Sequence, residues 1–256
     1  MGKVKSWYPG HMVATQKIIR ELSPYLTAFI ELVDARAPEL TRHGPMGTWV
    51  GKTPRIVVLN KAELADQTIT DAWMRWYRAQ GVGAVALTAT HPKADRVLRT
   101  AITERVSAPY RLAVVGLPNL GKSTLLNRMV GKNRVATGAK PGITRGPQWI
   151  RLDGGWEWLD LPGVVTPSRS KDWRLKVLGV VPVAPDEMED LAEKAWTRMH
   201  PNACGEPEAW VEWGRQRGFL TSGAAVDLHR TAQAVLIGVR DGQFGRHSWE
   251  VPPDGL

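Results

Sequence analysis

Cysteine is almost absent: Cys204 stands alone in 256 residues. One thiol excludes a disulfide framework or a thiolate metal cluster within the chain and fits a reducing cytoplasm. Long apolar runs are missing as well. No stretch of roughly 18 apolar residues occurs, so neither a membrane-spanning helix nor a membrane partner is expected. The opening MGKVKSWYPGHM has no apolar signal core and no Arg/Ser-rich leader, and Gly2 is read as an ordinary Met-Gly start. Phenylalanine is scarce, three against twelve tryptophans, so Trp196 and Trp249 are read as core aromatics, not base-stacking platforms. Internal repeats and low-complexity segments are lacking. No heptad or exposed seam argues for a dimer, which makes a monomer the expectation.

What the chain has in excess is positive charge. Lysine and arginine number 34 against 25 aspartates and glutamates, a net charge of +9. Such a balance favours a polyanionic partner through phosphate neutralisation and counterion release. A basic but uninvolved surface is the other reading, and composition does not separate the two.

Short β-branched and apolar runs alternate with helical patterns, the mark of an α/β fold with a largely parallel sheet. Strands are predicted at 29–34, 55–60, 84–89, 111–117, 147–152 and 156–161, and the Asp153-Gly154-Gly155 turn makes the last pair antiparallel. Helices are predicted at about 11–22, 68–80, 94–106 and 122–130. Beyond about Lys171 helical periodicity takes over. Met188, Leu191, Ala192, Ala195, Trp196 and Met199 share one face, with further helices from near Pro207 and Ser222. The expected division is 1–170 for the α/β domain and 171–256 for a small all-helical domain.

The chemistry concentrates in a few motifs. Gly116-Leu-Pro-Asn119-Leu120-Gly121-Lys122-Ser123-Thr124 fits a phosphate-binding loop between a strand and a helix. Its backbone N–H groups and helix N-terminus suit phosphates, Lys122 would reach the β- and γ-phosphates, and the Ser123 hydroxyl would face Mg²⁺. Asp160-Leu-Pro-Gly163 follows a strand, placing Asp160 in the Mg²⁺ shell and the Gly163 N–H toward the γ-phosphate. Thr144, in Pro141-Gly-Ile-Thr144, is either a second hydroxyl for Mg²⁺ or a turn residue. Upstream, Asn60-Lys61-Ala62-Glu63 approximates a guanine reader. Asn60 would hold the base edge, Lys61 lie over its plane and Glu63 accept from the ring N–H and amino group. Glu63 stands where Asp is usual, with Asp66 as an outside candidate. Thr88-Ala89, ending the next strand, would present a backbone N–H to the guanine carbonyl. An ATPase is disfavoured by the combined Asn60, Lys61, Thr88 and Ala89 set.

Base-reading elements thus precede phosphate elements, which is harmless because the site assembles in space. That rotated order, with WYPGHM at the start and DARAP after the first strand, resembles the circularly permuted P-loop GTPases. RGFLTSG and the ending FGRHSWE narrow the resemblance to the bacterial ribosome biogenesis GTPase A family, over nearly the whole chain. The resemblance implies GTP/GDP binding, hydrolysis of GTP, and a role in late maturation of the large ribosomal subunit. The implied partners are the subunit precursor and its rRNA. It assigns the water-positioning role to the His of P-G-H-M, here His11, since Val164 after Gly163 cannot orient water. A cap at the start of the first helix is the alternative for His11. Asn119 occupies the position where potassium-activated relatives ligate K⁺. The basic residues Arg174, Lys176, Arg215, Arg217, Arg230, Arg240 and Arg246 form a first rRNA-contact set, many of which would serve equally as solvated surface. A second functional reading keeps the nucleotide structural, in an RNA-binding assembly factor.

Overall fold

The computed structural model describes residues 17–42, 50–131, 148–161, 171–200 and 208–253. His11, Thr144, Gly163 and Val164 lie outside these segments, as does most of the helix expected at 11–22, of which residues 17–22 are helical. Contacts divide the chain into one unit of Met1–Arg169 with Ser248–Leu256, and a second of Ser170–His247.

The first unit is built on six strands: β1 (Ala28–Asp34), β2 (Arg55–Asn60), β3 (Gly83–Ala86), β4 (Tyr110–Gly116), β5 (Gln148–Leu152) and β6 (Trp156–Asp160). Their order is β3-β2-β1-β4-β6-β5, parallel throughout except for the β5–β6 hairpin. Gly154 and Gly155 turn that hairpin with φ of 76° and 77°, backbone that side chains disfavour. β1 is buried along its whole length, as a central strand covered on both faces must be. One face carries two neighbouring clusters: Phe29, Ala113, Val115 and Leu159 pack with Ile19, and Val33, Val57 and Leu59 pack with Trp73 and Tyr77. The covering helices are α1 (Gln67–Ala79), α2 (Ala94–Thr103) and α3 (Lys122–Val130). β3 stops three residues short of the predicted end, because residues 87–89 leave the sheet to serve the loop after β2.

The second unit holds α4 (Trp173–Val177), α5 (Met188–Met199), α6 (Ala209–Gln216) and α7 (Leu228–Asp241). The last starts six residues after the predicted Ser222, because the Asp227 side chain accepts from the Arg230 N–H and sets the N-cap there. Trp196 is half-buried and packs against Trp213 and Phe244, with centroids 5.7 and 5.4 Å away, in an aromatic cluster. The ending FGRHSWE is divided, with Phe244 to His247 staying with these helices. From Ser248 the chain belongs to the α/β unit, whereas the sequence boundary carried it to the helical one.

Candidate active site

The sheet grows from β1 in two directions, through β2 and β3 on one side and through β4 and β6 on the other. An open parallel sheet binds ligands beyond the carboxyl ends of its strands at such a switch point. Asp34 ends β1, Asn60 ends β2, Gly116 ends β4 and Asp160 ends β6. The rotated motif order therefore still delivers every strand-borne site residue to one edge of the sheet.

Gly116 fits tightly there: a Cβ would lie 3.0 Å from the Leu32 carbonyl oxygen. The following loop carries Asn119 at φ 62° and Gly121 at φ 92°, and α3 starts at Lys122. Left-handed residues before a helix N-terminus make a concave array of N–H groups suited to anions. Ser123 and Thr124 are exposed at the start of that helix. Lys122 Nζ stands 2.8 Å from Asp160 Oδ1 and also donates to the Leu161 carbonyl. The lysine expected at the phosphates and the acid expected at the metal are thus in direct contact. Among the described residues no group of three His, Cys, Asp or Glu side chains could cage a metal. One carboxylate and one hydroxyl suit Mg²⁺, which completes its shell with phosphates and water.

Asn60 is 2% exposed and joins the two halves of the site. Its Nδ2 donates to the Leu120 carbonyl at 2.7 Å, and its Oδ1 accepts from the Ala89 N–H at 2.8 Å. One side chain therefore binds the phosphate loop to the loop after β3. Of the Thr88-Ala89 backbone expected to present an N–H to the guanine carbonyl, the Ala89 N–H is given to Asn60. Gly121 must lack a side chain for the same reason, since a Cβ would lie 2.5 Å from Asn60 Nδ2.

Lys61 adopts φ 59°, a left-handed conformation that costs a residue with a Cβ about 1–2 kcal/mol. Its Nζ lies 3.4 Å from Asp34 Oδ2. Asp34, fully buried, accepts from Arg36 Nε at 2.9 Å and Arg36 Nη2 at 2.8 Å. Burial pushes the Asp34 carboxyl up, but the charges and hydrogen bonds of Arg36 and the charge of Lys61 hold it below the usual range. Burial works against the Arg36 charge too, and Asp34 and Glu63 reverse that effect, raising Arg36 above its ordinary value. Glu63 in turn accepts from the Thr88 hydroxyl through Oε2. The extra methylene relative to Asp is thus braced by the neighbouring loop. Asp66 is excluded as a base reader: its carboxylate caps α1 by accepting from the Ile69 N–H.

Sequence reasoning missed two parts of this assembly. One is the Asp34–Arg36 pair, whose signal was two charges after an otherwise apolar strand. The other is the returning C-terminal segment. The Trp249 N–H donates to the Arg36 carbonyl at 2.6 Å, Ser248 Oγ accepts from the Asp66 N–H at 3.2 Å, and Glu250 accepts from the Leu40 N–H at 3.0 Å. Trp249 is a core residue as expected, 3% exposed, but in the α/β unit. Residues more than 180 positions downstream of Asp66 thereby brace the loop after β2, the one expected to read guanine.

The basic set of the helical unit separates by partner. Arg240 drops out, because its guanidinium donates to the Lys176 and Val177 carbonyls at 2.9 and 3.0 Å and fastens α7 to the end of α4. Arg174 and Lys176 pair with Asp172 and Glu187, and Arg215 pairs with Glu212. Arg217 and Arg230 lie over the rings of Trp213 and Phe219, and Arg246 is exposed.

A family model described as a 50S ribosome-binding GTPase matches residues 111–182. Ribosome biogenesis GTPase A of Thermotoga maritima is 33% identical, over 97% of this chain and 95% of the relative. The protein of that name from Bacillus cereus is 31% identical, over 98% and 95%. GDP-bound YlqF from T. maritima superposes with a TM-score of 0.73 at 26% identity, over 92% of this chain and 99% of that one. The GNP-bound form gives 0.71 at 25% identity, over 94% and 99%.

Glu63→Ala is expected to reduce the preference for GTP over ATP by roughly 10- to 100-fold, since hydrogen bonds to a charged acceptor contribute about 1.5–3 kcal/mol. Competition binding of the two nucleotides measures it, and an unchanged ratio would remove Glu63 from the base site.

Proposed function

This chain belongs to the ribosome biogenesis GTPase A family, and from that membership we propose that its GTP hydrolysis is a docking-dependent step on the large ribosomal subunit precursor. The observation that carries the proposal is the Asn60 amide, which ties the phosphate loop to the base-side loop through two hydrogen bonds. Guanine recognition and phosphate recognition are therefore one mechanical unit, as a nucleotide-operated switch requires.

Within that unit Asn60, Lys61, Glu63, Thr88 and Ala89 form the base side, with Ala89 acting through Asn60. Asn119, Leu120, Gly121, Lys122, Ser123, Thr124 and Gly163 form the phosphate side. The family implies Mg²⁺ with GTP, and Ser123, Thr144 and Asp160 would hold it. When bound, Mg²⁺ supplies charge neutralisation at the β- and γ-phosphate oxygens. Lys122 exchanges its ion pair with Asp160 for the phosphates, freeing the carboxylate to face the metal. Asn119 would ligate K⁺ beside the phosphates. His11 orients the attacking water, supplying the function that Val164 lacks. The helical unit and its basic surface contact rRNA, with Arg246 and the ring-stacked Arg217 and Arg230 better candidates than Arg240. No helix among the described residues is long and apolar enough to cross a membrane.

Turnover with and without purified large subunits tests this reading. The wild type is expected to accelerate on the particle, and more in potassium than in sodium. His11→Ala should keep GTP affinity while losing the acceleration. Turnover that ignores the particle would leave an RNA-binding factor stabilised by its nucleotide. A His11→Ala protein that accelerates normally would return His11 to a capping role.

A further inference from the structure

Among the described residues β3 is an edge strand, and it forms the floor of a cavity of about 550 Å³ that has no residue in common with the nucleotide crevice. Its far wall is one stripe of α2 and its flanks, where Lys93, Arg96, Val97, Thr100 and Glu104 recur at helical spacing. Arg78 from the end of α1 and Arg105 beyond α2 complete the rim, so four cations surround the opening against a single acid.

Several other cations of the same unit are already paired. Arg36, Arg42, Arg55, Arg111 and Lys122 all lie within ion-pair distance of a carboxylate. Lys93, Arg96 and Arg105 are exposed and make no ion pair among the described residues. Three uncompensated charges converging on one concavity raise its positive potential, and a hollow focuses that field more than a flat surface does.

An unpaired strand edge is also a template for an added peptide strand, and the geometry decides between the two occupants. Arg78 Nη2 already donates to the Ala84 carbonyl at 3.0 Å, in the middle of a four-residue strand. A new strand would have to evict that guanidinium and would gain little from so short an edge. An RNA backbone needs no strand edge, and its phosphates match the rim. The floor of Gly83, Ala84 and Val85 has no side-chain hydrogen-bonding group or aromatic ring with which to read a base.

We propose that this groove binds the sugar–phosphate backbone of RNA, independently of sequence, as a second RNA contact on the GTPase unit itself. It rests on the rRNA-binding reading above and extends it to a face that the helical unit does not supply. The test replaces Lys93, Arg96 and Arg105 together by Gln. A control replaces Lys17, Lys52 and Arg75 by Gln, three exposed cations outside the groove, giving the same change in net charge. Affinity for a 20-base-pair RNA duplex and for purified large-subunit precursor is measured from about 50 to 200 mM salt, with thermal melting to confirm folding.

The groove variant should lose about two to three units from the slope of log affinity against log salt, roughly one per phosphate contact removed. GTP affinity should stay at the wild-type value, and the control should keep most of the slope. A groove variant with the wild-type slope overturns the groove alone. Equal losses in groove variant and control overturn it too, since the effect would then belong to net charge. A wild-type protein that binds neither RNA probe overturns the rRNA-binding reading and the groove together.

Discussion

Gly121→Ala is expected to lower GTP and GDP affinity by roughly two to three orders of magnitude. Two costs act together. The residue holds φ 92°, where a side chain costs about 1–2 kcal/mol. The new methyl would also lie 2.5 Å from Asn60 Nδ2, so Asn60 must retreat. That retreat strains the bonds to Leu120 and Ala89, and losing a buried polar partner costs about 1–3 kcal/mol. The phosphate loop and the base-side loop then separate. Asn60→Ala should itself weaken binding, because it cuts the same two bonds. The discriminating measurement is the double variant, titrated with a fluorescent nucleotide. With Asn60 gone the clash disappears, so Gly121→Ala should add much less than it does alone. Strict additivity would mean that the two residues act separately and that backbone strain at Gly121 is the whole effect.

Arg36→Met is expected to destabilise the α/β unit by about 3–5 kcal/mol, because it strands a fully buried Asp34 carboxylate. For a chain of this size that is a fall in Tm of roughly 6–20 °C. The pH dependence separates a stranded charge from lost packing. In the wild type the Asp34 carboxyl lies below its ordinary 3.8, so its contribution to stability is complete above that value. It is lost as pH falls through the lower folded-state value. In the variant, burial is opposed by Lys61 alone of the two cations, so the carboxyl moves upward. Its penalty is then full at neutral pH and relieved as the solution acidifies. The stability gap between the proteins should therefore narrow between pH 7 and pH 4 in thermal or urea unfolding. Adding Asp34→Asn to Arg36→Met should recover much of the loss at pH 7. A gap independent of pH would assign Arg36 to packing.

Much of the fold and part of the site were legible in the sequence because they depend on local chemistry. β2 and α3 match their predicted bounds, since apolar runs and a phosphate-loop spacing are short-range signals. The motifs read for base and phosphate are short-range patterns of the same kind. What the sequence did not disclose is how one residue serves both. Asn60 reads as a base ligand in isolation, and only the meeting of three loops makes it the bond between Leu120 and Ala89. The role of Glu63 depends likewise on a hydroxyl 25 residues away. Ser248 and Trp249 are more remote still, and no periodicity or composition shift announces that the chain end returns to the first unit. Arg240 shows the opposite error: a charge near the end of a helix invites a nucleic-acid reading until two carbonyls claim it.

That return changes what the helical unit is in the path of the chain. Ser170–His247 is an excursion with a departure point and an arrival point on the same body. A nick near residue 170 would not release it, because Trp249 and Glu250 would still moor its far end to the α/β unit. Closing so long an excursion costs entropy that grows only logarithmically with its length, so residues inserted within it should be borne easily. Residues removed from its last few positions should not. The economical way to shed this unit is to cut before Ser170 and loosen the segment beginning at Ser248, and either act alone leaves it attached.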